Sequence, residues 1–324
     1  MAHEGTPVRI GVIGARSMIA TRAVMPAIDT CDLTELVAVS SLSGPVPEPW
    51  DHLAAGTYDD VVEHPDVEAV YIPLPNGMHR EWVERAAEAG KHVLCEKPIA
   101  PTVTEAAAMS AACDAAGVLL AEAWMTPFDA RWHSAIDAVR SGLVGNVLDV
   151  DSSFTFTIGP EASNNYRWSA DQGGGALLDV GIYCLGPIIE LWGADPDGID
   201  ATALWHTTGV DARTEATLSW TDGREARIRC SFVDAEEQRI EMVGDEASMI
   251  INGDAHTGGE RARDFLVADA DGRVSTTSVV ATDPYLGMVE AFARAVRGDE
   301  PWPRPMTSTL ELLTLIERIA SASR

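Results

Sequence analysis

Hydrophobic and polar positions in the first part of the chain predict short buried strands that alternate with helices. Runs rich in branched and aliphatic side chains predict strands at residues 8–13, 35–40, 67–72, 92–95 and 118–123. Helical periodicity predicts three helices. The first follows the first strand and ends at about residue 28, the second follows the third strand and ends at residue 89, and the third spans residues 104–116. Strands alternating with helices predict a doubly wound parallel sheet with right-handed crossovers.

The pattern changes after about residue 124, where long strands with alternating polar and apolar residues become dominant. They are predicted at residues 147–157, 201–207, 216–220 and 226–232, and turn residues at 221–223 and 252–253 predict hairpins. Helical patterns occur at residues 131–140, 173–192, 285–296 and 308–320. We therefore expect two domains: an α/β domain in residues 1–123 and an α+β domain with a large, mostly antiparallel sheet in residues 124–324.

Charge and cysteine content narrow the classes of function. The formal net charge of −27 argues against nucleic acid and anionic membranes as partners, because phosphate binding draws on clustered basic residues. The five cysteines show no paired spacing, which favours reduced thiols over disulfides or a zinc site. No apolar stretch reaches the length of about 18 residues that a membrane span needs. These features predict a cytoplasmic protein without a bound metal.

The turn after the first strand has the chemistry of a dinucleotide-binding site. Gly11 and Gly14 lie where a strand passes into a helix, and such a turn presents backbone N–H groups to a pyrophosphate. Arg16 replaces the next glycine of the Gly-x-Gly-x-x-Gly pattern. A plain strand-to-helix turn remains the alternative. The candidate cofactor residues of this turn are Gly14, Ala15, Arg16, Ser17, Met18 and Ile19.

The end of the second strand bears on the choice of cofactor. Residues 40–43 contain serines where NAD-binding proteins place the Asp or Glu that binds the ribose hydroxyls. An acid would repel the 2′-phosphate of NADP, and its absence favours NADP as cofactor, with NAD as the alternative. Ser41 and Arg16 are the candidate contacts to that phosphate.

Lys97 follows the fourth strand, at the edge where open parallel sheets bind ligands. Only Lys91 and Lys97 are lysines among 23 basic residues, so an ammonium group has been kept at this position. Lysine is a compact charge whose pKa responds to burial, which suits a site that handles protons. The alternative is that Lys97 is a solvated loop charge.

A second stretch of candidate chemistry begins with three glycines at residues 173–175 and continues as a predicted helix. Glycine allows another backbone or a ligand to approach the start of the helix. Asp179 and Tyr183 are four residues apart, which places them on one face of an uninterrupted helix. The alternative is an amphipathic helix whose polar face merely contains these two residues.

Together these motifs resemble the glucose-fructose oxidoreductase, inositol dehydrogenase and rhizopine-catabolism (Gfo/Idh/MocA) family along nearly the whole chain. The matching blocks are residues 11–14, 71–79, 96–98, 165–167 and 173–183. Tyrosine at position 183 is similar to the subgroup of dihydrodiol and xylose dehydrogenases and nucleotide-sugar ketoreductases. The resemblance implies an N-terminal Rossmann domain that binds nicotinamide, a C-terminal sheet domain and a cleft between them.

The resemblance also implies roles for individual residues. Lys97, Asp179 and Tyr183 would be catalytic, with Tyr183 handling the proton and Lys97 supplying a nearby positive charge. Further cofactor contacts would come from Ser41, Pro73, Leu74, Asn76, His79, Glu96 and Lys97. Substrate would be bound by Trp124, Asn165 and Arg167. The remaining histidines considered, His3, His133, His206 and His256, are expected to be ordinary surface or partly buried residues.

The expected reaction is reversible hydride transfer between nicotinamide and a secondary alcohol of a polyhydroxylated small molecule, such as a sugar, cyclic polyol or diol. Two alternatives remain: a ketoreductase of nucleotide-linked sugars, and a cofactor-binding sensor without turnover. Trp205, Trp220 and Phe232 lie on predicted strands of a sheet with helices for only one face. They suggest an apolar outer face buried in a homodimer or higher homo-oligomer. The alternative is that all three aromatic side chains point inward to the core.

Overall fold

The computed structural model describes residues 6–257 and 263–324. The chain divides into two compact units, of which the first comprises residues 1–124 and 285–310 and the second residues 125–284 and 311–324. The boundary after Trp124 lies one residue beyond the expected one. Residues 285–310, which we expected in the second domain, belong to the first unit.

The first unit is built on a five-stranded parallel sheet with the order β2-β1-β3-β4-β5. Its strands are β1 (Val8–Ile13), β2 (Thr34–Ser40), β3 (Ala69–Ile72), β4 (His92–Glu96) and β5 (Leu120–Ala123). Its first four helices are α1 (Met25–Thr30), which follows a π-helical turn at Ala20–Val24, α2 (Tyr58–Val62), α3 (His79–Glu88) and α4 (Val103–Ala116). All four residues of the central strand β3 and of the edge strand β5 are buried, as expected for a parallel sheet covered on both faces. The predicted doubly wound parallel sheet is confirmed.

The second unit contains an eight-stranded sheet with the order β13-β12-β11-β10-β6-β9-β8-β7. Its strands are β6 (Val147–Thr157), β7 (Gly198–Trp205), β8 (Asp211–Ser219), β9 (Glu225–Ser231), β10 (Val233–Gly244), β11 (Ala247–Asn252), β12 (Arg263–Asp269) and β13 (Val274–Val279). Only the β6–β9 pair is parallel among these neighbours, so the predicted large, mostly antiparallel sheet is confirmed.

The helices of the second unit are α5 (Ala130–Arg140), α6 (Ala176–Asp179) and α7 (Gly181–Trp192). Near the C-terminus the chain forms α8 (Pro284–Arg297) and α9 (Met306–Ala322). Almost all of α8 belongs to the first unit, whereas α9 begins in the first unit and continues in the second.

Two local predictions about turns had different outcomes. Gly223 has φ of 94° and lies in the tight turn between β8 and β9, as the sequence predicts. At the second predicted turn, Asn252 ends β11 and Gly253 has φ of 55°, and the next strand, β12, is the antiparallel neighbour of β11. The connection is longer than a tight hairpin turn, because β12 begins only at Arg263. Four strands in residues 233–279 were not predicted, although β11 and β13 contain the β-branched residues typical of strands.

The aromatic side chains expected on the outer face of the large sheet lie elsewhere. Trp220 and Phe232 are buried, with Trp220 against Trp192 at 5.0 Å between ring centroids and Phe232 against Phe156 at 5.2 Å. Only Trp205 is exposed, at 41%. The expectation of an apolar outer face is therefore wrong.

The outer face instead carries alternating charges. Arg227 pairs with Asp149 at 2.7 Å, and Arg239 pairs with Glu241 at 2.7 Å. Because side chains alternate along a strand, the apolar residues of the same strands point to the opposite face, against which α7 packs. The inner face of this sheet thus forms the core of the second unit.

No single helix of the described residues is both long and apolar enough to cross a membrane. One bent pair, residues 170–179 and 181–192, meets the criteria of length and composition only when the two helices are combined across a 50° bend.

Candidate active site

Gly14 shapes the turn between β1 and the following helix. Its φ is 92°, a conformation that residues with a side chain rarely adopt. A Cβ atom added at Gly14 would lie 2.7 Å from Leu74 Cδ2 and 3.3 Å from the Pro73 carbonyl oxygen. Glycine is therefore required here both by the backbone conformation and by the close approach of the Pro73–Leu74 loop.

The backbone N–H groups of this turn are partly used within the protein. The N–H groups of Gly14 and Ala15 both donate to the carbonyl oxygen of Ser40, at 2.9 and 3.1 Å. Helical residues begin at Met18, and the first N–H groups of a helix have no partner within that helix. The turn fits a dinucleotide phosphate in its chemistry, and the N–H groups of Met18 and Ile19, at the positive end of the helix, are the candidate donors.

Arg16 extends from this turn to the loop that follows β2. Its Nη1 donates to the carbonyl oxygen of Pro45 at 3.3 Å, and its guanidinium lies beside Gly44. The hydroxyl groups of Ser41 and Ser43 are 3.2 Å apart in the same loop. Residues 41–47 contain no carboxylate. The structure thus brings the two predicted phosphate contacts, Arg16 and the Ser41 segment, to the same end of β2.

Glu96, the last residue of β4, is a buried carboxylate beside Lys97. Its Oε1 accepts a hydrogen bond from the Tyr71 hydroxyl at 2.8 Å, and its Oε2 accepts one from the Lys97 N–H at 3.2 Å. Burial raises the pKa of Glu96 to about 7, although Tyr71 and the charge of Lys97 oppose that shift. This carboxylate is therefore held in place by Tyr71 and fixes the backbone from which Lys97 extends.

His79 joins two loops of the predicted cofactor site. One ring nitrogen lies 2.8 Å from the Leu74 carbonyl oxygen, and the other lies 3.1 Å from the carbonyl oxygens of both Pro98 and Ile99. The ring is fully buried, and burial lowers the pKa of His79. The structure therefore places both ring nitrogens against backbone oxygens. Asn76, also buried, begins the 3-10 turn that leads into α3.

The other lysine has a different environment. Lys91 donates from Nζ to the carbonyl oxygens of His64, at 3.0 Å, and Val67, at 2.7 Å. Its ammonium group thus closes a turn before β3. This contact gives Lys91 a role in local structure, away from the end of β4.

Two of the three glycines at residues 173–175, Gly174 and Gly175, lie too close to other protein groups to carry a side chain. A Cβ atom at Gly174 would lie 2.3 Å from the Arg167 carbonyl oxygen. Gly175 has φ of 116°, and a Cβ atom there would lie 2.3 Å from a carboxylate oxygen of Asp211. Asp211 also accepts a hydrogen bond from the Leu177 N–H at 2.7 Å. Of the two alternatives, backbone or ligand, the structure places protein groups at this helix start.

The predicted helix at residues 173–192 is interrupted at Val180. Helix α6 ends at Asp179, α7 begins at Gly181, and Val180 has φ of −116°. The spacing argument that placed Asp179 and Tyr183 on one face of a continuous helix is therefore wrong. Asp179 instead lies at the end of one helix and Tyr183 in the first turn of the next.

Asp179 forms a buried ion pair with Arg167. Arg167 Nε lies 2.6 Å from Asp179 Oδ2, and Asp179 is 2% exposed. Tyr183 interacts electrostatically with the same guanidinium. Asn165 Oδ1 accepts from the Arg167 N–H at 3.1 Å, and the guanidinium lies 4.9 Å from the ring centre of Tyr166. Four predicted site residues of the second unit, Asn165, Arg167, Asp179 and Tyr183, are therefore close together.

Tyr183 also belongs to an aromatic cluster that includes a histidine. Its ring centroid lies 5.3 Å from that of Phe154 and 6.3 Å from that of His256, and His256 stacks on Phe154. His256 Nε2 lies 3.0 Å from the Ser153 carbonyl oxygen, and burial lowers the pKa of this histidine to about 4. We expected His256 to be an ordinary surface or partly buried histidine. The structure instead places it beside Tyr183, a contact that nothing in the sequence near residue 256 indicates.

Trp124 and the other histidines considered in the sequence lie in different surroundings. Trp124 is buried in the first unit, where the Arg304 guanidinium lies 4.4 Å from its ring centre. His206 stacks on Trp168, and His133 is exposed. His3 lies outside the described residues. Within residues 6–257 and 263–324, no group of three or more His, Cys, Asp or Glu side chains could hold a metal ion.

The chain has recognisable relatives. Residues 8–123 match the Gfo/Idh/MocA oxidoreductase family with the NAD-binding Rossmann fold, and residues 132–250 match a Gfo/Idh/MocA C-terminal domain. D-xylose 1-dehydrogenase (NADP(+)) 2 of Haloferax volcanii is 35% identical over 296 residues, covering 90% of this chain and 89% of that protein. A dTDP-3,4-didehydro-2,6-dideoxy-alpha-D-glucose 3-reductase of Saccharopolyspora spinosa is 31% identical, covering 98% of this chain and 98% of that protein.

A solved structure is similar in fold as well. The 3-ketoreductase of Actinomadura kijaniata in complex with NADP and TDP-benzene is 28% identical to this chain. Its TM-score is 0.91, and the match covers 98% of each chain.

The fold and the matched domains define the class of protein as an NAD(P)-dependent oxidoreductase. The chain belongs to the Gfo/Idh/MocA family. The resemblance expected from the sequence is thereby confirmed.

Proposed function

We propose that this enzyme interconverts a secondary alcohol and the corresponding ketone of a sugar, cyclic polyol or diol, with NADP as the preferred cofactor. The observation that carries the proposal is the buried cluster of Arg167, Asp179 and Tyr183 in an NAD(P)-dependent family. It combines a group that can carry a proton with fixed charges that can orient hydroxyl groups. The dehydrogenase of Haloferax volcanii supports a polyhydroxylated substrate.

Tyr183 is proposed as the general acid and base. When bound, nicotinamide would accept or donate the hydride at the reacting carbon. In the oxidation direction Tyr183 takes the proton of the reacting hydroxyl, and in the reduction direction it returns that proton. A positive charge favours the deprotonated phenol, and Arg167 supplies one within the second unit.

Lys97 is proposed to supply positive charge to the reacting oxygen. The structure holds its backbone through Glu96, at the carboxyl end of β4. An ammonium group there stabilises the oxygen as negative charge develops on it during hydride transfer. Lys97 and Tyr183 would therefore act on the same step of the reaction.

The remaining polar groups of the second unit are proposed to bind substrate. Asp179 directs the Arg167 guanidinium, whose other nitrogens can donate to hydroxyl oxygens. The side-chain amide of Asn165 can also donate to a hydroxyl. Several fixed donors of this kind favour a substrate with several hydroxyl groups.

NADP is preferred in this proposal because of the loop after β2. Arg16 and the hydroxyl groups of Ser41 and Ser43 can all donate to a 2′-phosphate. No acid lies in residues 41–47 to bind the ribose hydroxyls of NAD instead. The relatives whose names include NADP support the same choice.

A second candidate is reduction of a ketone on a nucleotide-linked sugar. It is favoured by the relative from Saccharopolyspora spinosa, which matches 98% of this chain, and by the similar 3-ketoreductase structure that contains TDP-benzene. The two candidates share the same redox chemistry. They differ in the group attached to the sugar.

A substrate panel tests these proposals. The purified protein is mixed with NADP⁺ and a set of aldoses, cyclic polyols and diols, and separately with NADPH and keto-sugars linked to a nucleotide. Absorbance of the reduced nicotinamide reports turnover, with Tyr183→Phe as the control. Turnover only with nucleotide-linked sugars would establish the second candidate. Tight binding of NADPH without turnover of any compound would indicate a sensor.

We also propose a homodimer or higher homo-oligomer in the cytoplasm. The charged outer face of the large sheet presents both signs, as in the Arg227–Asp149 and Arg239–Glu241 pairs, and could pair with a second copy. Use of a nicotinamide cofactor supports the location. A monomeric mass in light scattering at micromolar concentration would contradict the assembly, and secretion of the protein would contradict the location.

A further inference from the structure

The backbone of residues 97–99 is held almost entirely by side chains. The Lys97 N–H donates to Glu96, Pro98 has no N–H, and the Ile99 N–H donates to Oε1 of Glu122 at 3.0 Å. The carbonyl oxygens of Pro98 and Ile99 face His79. Glu122 therefore accepts the backbone N–H two residues beyond Lys97 in the loop between β4 and α4.

Glu122 is itself fixed from a distant part of the chain. It is 1% exposed and lies on β5, opposite Cys95 of β4. Its Oε2 accepts a hydrogen bond from Thr309 Oγ1 at 2.9 Å and lies 3.5 Å from Arg304 Nε. The Arg304 side chain is 14% exposed, and its guanidinium stacks on Trp124. Such a counter-charge and such donors offset the cost of burying a carboxylate.

We propose that Glu122, supported by Arg304 and Thr309, is a positioning residue for Lys97. The inference rests on the proposed role of Lys97 in the reaction. Both oxygens of Glu122 are engaged, one by the loop and one by residues 304 and 309, so the carboxylate connects this loop to the segment 285–310 of the same unit. A charged acceptor makes the stronger type of hydrogen bond to the Ile99 N–H.

Loss of the Glu122 carboxylate would release the loop at Ile99. The Ile99 N–H is buried, so without Glu122 it would have to find another acceptor by moving. Such a movement displaces the adjacent residues 97 and 98. A displacement of about 1 Å in a reacting group can lower a rate about 100-fold.

Two matched double variants test the hydrogen bond from the Ile99 N–H to residue 122 after the ion pair with Arg304 has been removed from both. Glu122→Gln with Arg304→Met removes both charges and keeps an acceptor oxygen, whereas Glu122→Leu with Arg304→Met removes both charges and the acceptor. For each variant we would measure kcat, KM for the substrate, the Kd of NADPH and the melting temperature. Lys97→Met serves as the reference.

We expect the Gln variant to keep at least about a third of the wild-type kcat, and the Leu variant to lose about 10- to 100-fold in kcat. The Kd of NADPH should change little in both variants, because the change concerns the placement of Lys97. Equal kcat values for the two variants would overturn the proposal. Near-normal turnover in Lys97→Met would instead overturn the proposed function of Lys97.

If the Leu variant does not fold, Thr309 provides a milder comparison. Thr309→Ser keeps the hydroxyl that donates to Glu122, and Thr309→Val removes it with little change in volume. We expect kcat of the Val variant to fall about 3- to 10-fold below that of the Ser variant, as loss of one buried hydrogen bond predicts. Equal kcat values of these two variants would overturn the proposal in the same way.

Discussion

Arg167 Nε and Asp179 Oδ2 lie 2.6 Å apart, and Asp179 is almost fully buried. Burial alone would lower the pKa of Arg167, but the negative charge of Asp179 raises that pKa above its ordinary value. The pair therefore stays ionised and fixes the direction of the guanidinium. Because Tyr183 interacts electrostatically with the same guanidinium, the pair lies beside the side chain proposed as general acid and base.

Asp179→Asn should lower kcat/KM about 10- to 100-fold, because it weakens a charge-assisted hydrogen bond that orients Arg167. Steady-state kinetics with the best substrate of the panel would measure the change. Asp222→Asn is the matched control, since Asp222 pairs with Arg224 at 2.8 Å but is 56% exposed. Exposed pairs contribute little, so the control should behave as the wild type. Equal activity of both variants would contradict the proposed role of Asp179.

Lys97→Met and Tyr183→Phe should each lower kcat about 100- to 10,000-fold while the Kd of NADPH changes far less, because in the proposed mechanism Tyr183 transfers the proton and Lys97 stabilises the charge on the reacting oxygen in the transition state. Lys97→Arg should lose nearly as much activity, since a guanidinium is larger and its charge is less adjustable. Lys91→Met is the control: it removes two hydrogen bonds to carbonyl oxygens and should change stability more than kcat. Near-normal kcat in both main variants would refute the mechanism.

The sequence predicted the elements of the first sheet because each of its strands is a short, nearly continuous apolar run. It also predicted Lys97, Asp179 and Tyr183 as catalytic residues, and these roles stay predictions. The helical spacing that joined Asp179 to Tyr183 was wrong, since the chain bends at Val180. Periodicity describes a regular helix and cannot show where tertiary packing interrupts one.

Contacts between residues far apart in sequence were beyond prediction. Glu122 and Thr309 are separated by 187 positions, and neither lies in a recognisable motif. The same holds for the stacking of His256 beside Tyr183. Trp220 and Phe232 show a related limit, because alternation along a strand reveals two faces without showing which one the core covers.

Glu96→Gln should remove a pH-dependent loss of stability. The pKa of Glu96 is about 7 in the folded protein and 4.5 as its ordinary value. Between these values the folded state binds more protons than the unfolded state, so Glu96 makes the folded state less stable as pH rises from about 4.5 to 7. Between pH 5 and pH 8 the free energy of unfolding should change by a different amount in Glu96→Gln than in the wild type, and we expect the two changes to differ by up to about 3 kcal/mol. Urea denaturation at both pH values measures it.

Glu68→Gln provides a control of opposite sign. Hydrogen bonding by Arg297 lowers the pKa of Glu68 to about 2, so its contribution to stability is present above the ordinary value of 4.5 and is lost as pH falls toward 2. This variant should alter the acid limb of the stability profile and leave the difference between pH 5 and pH 8 unchanged. A Glu96→Gln profile parallel to that of the wild type between pH 5 and pH 8 would contradict the raised pKa.

Arg16→Ala should reduce the preference for NADPH over NADH about 10- to 100-fold, because it would remove the proposed charge-assisted hydrogen bond to the 2′-phosphate. The Kd values of both cofactors, obtained from fluorescence titration, give the ratio. Arg22→Ala is the control: it removes the same charge from an exposed position of the same helical segment, away from the loop after β2. A general loss of positive charge would affect both variants alike, whereas a specific contact affects only Arg16. An unchanged ratio in Arg16→Ala, or tighter binding of NADH by the wild type, would show that Arg16 does not select the phosphate.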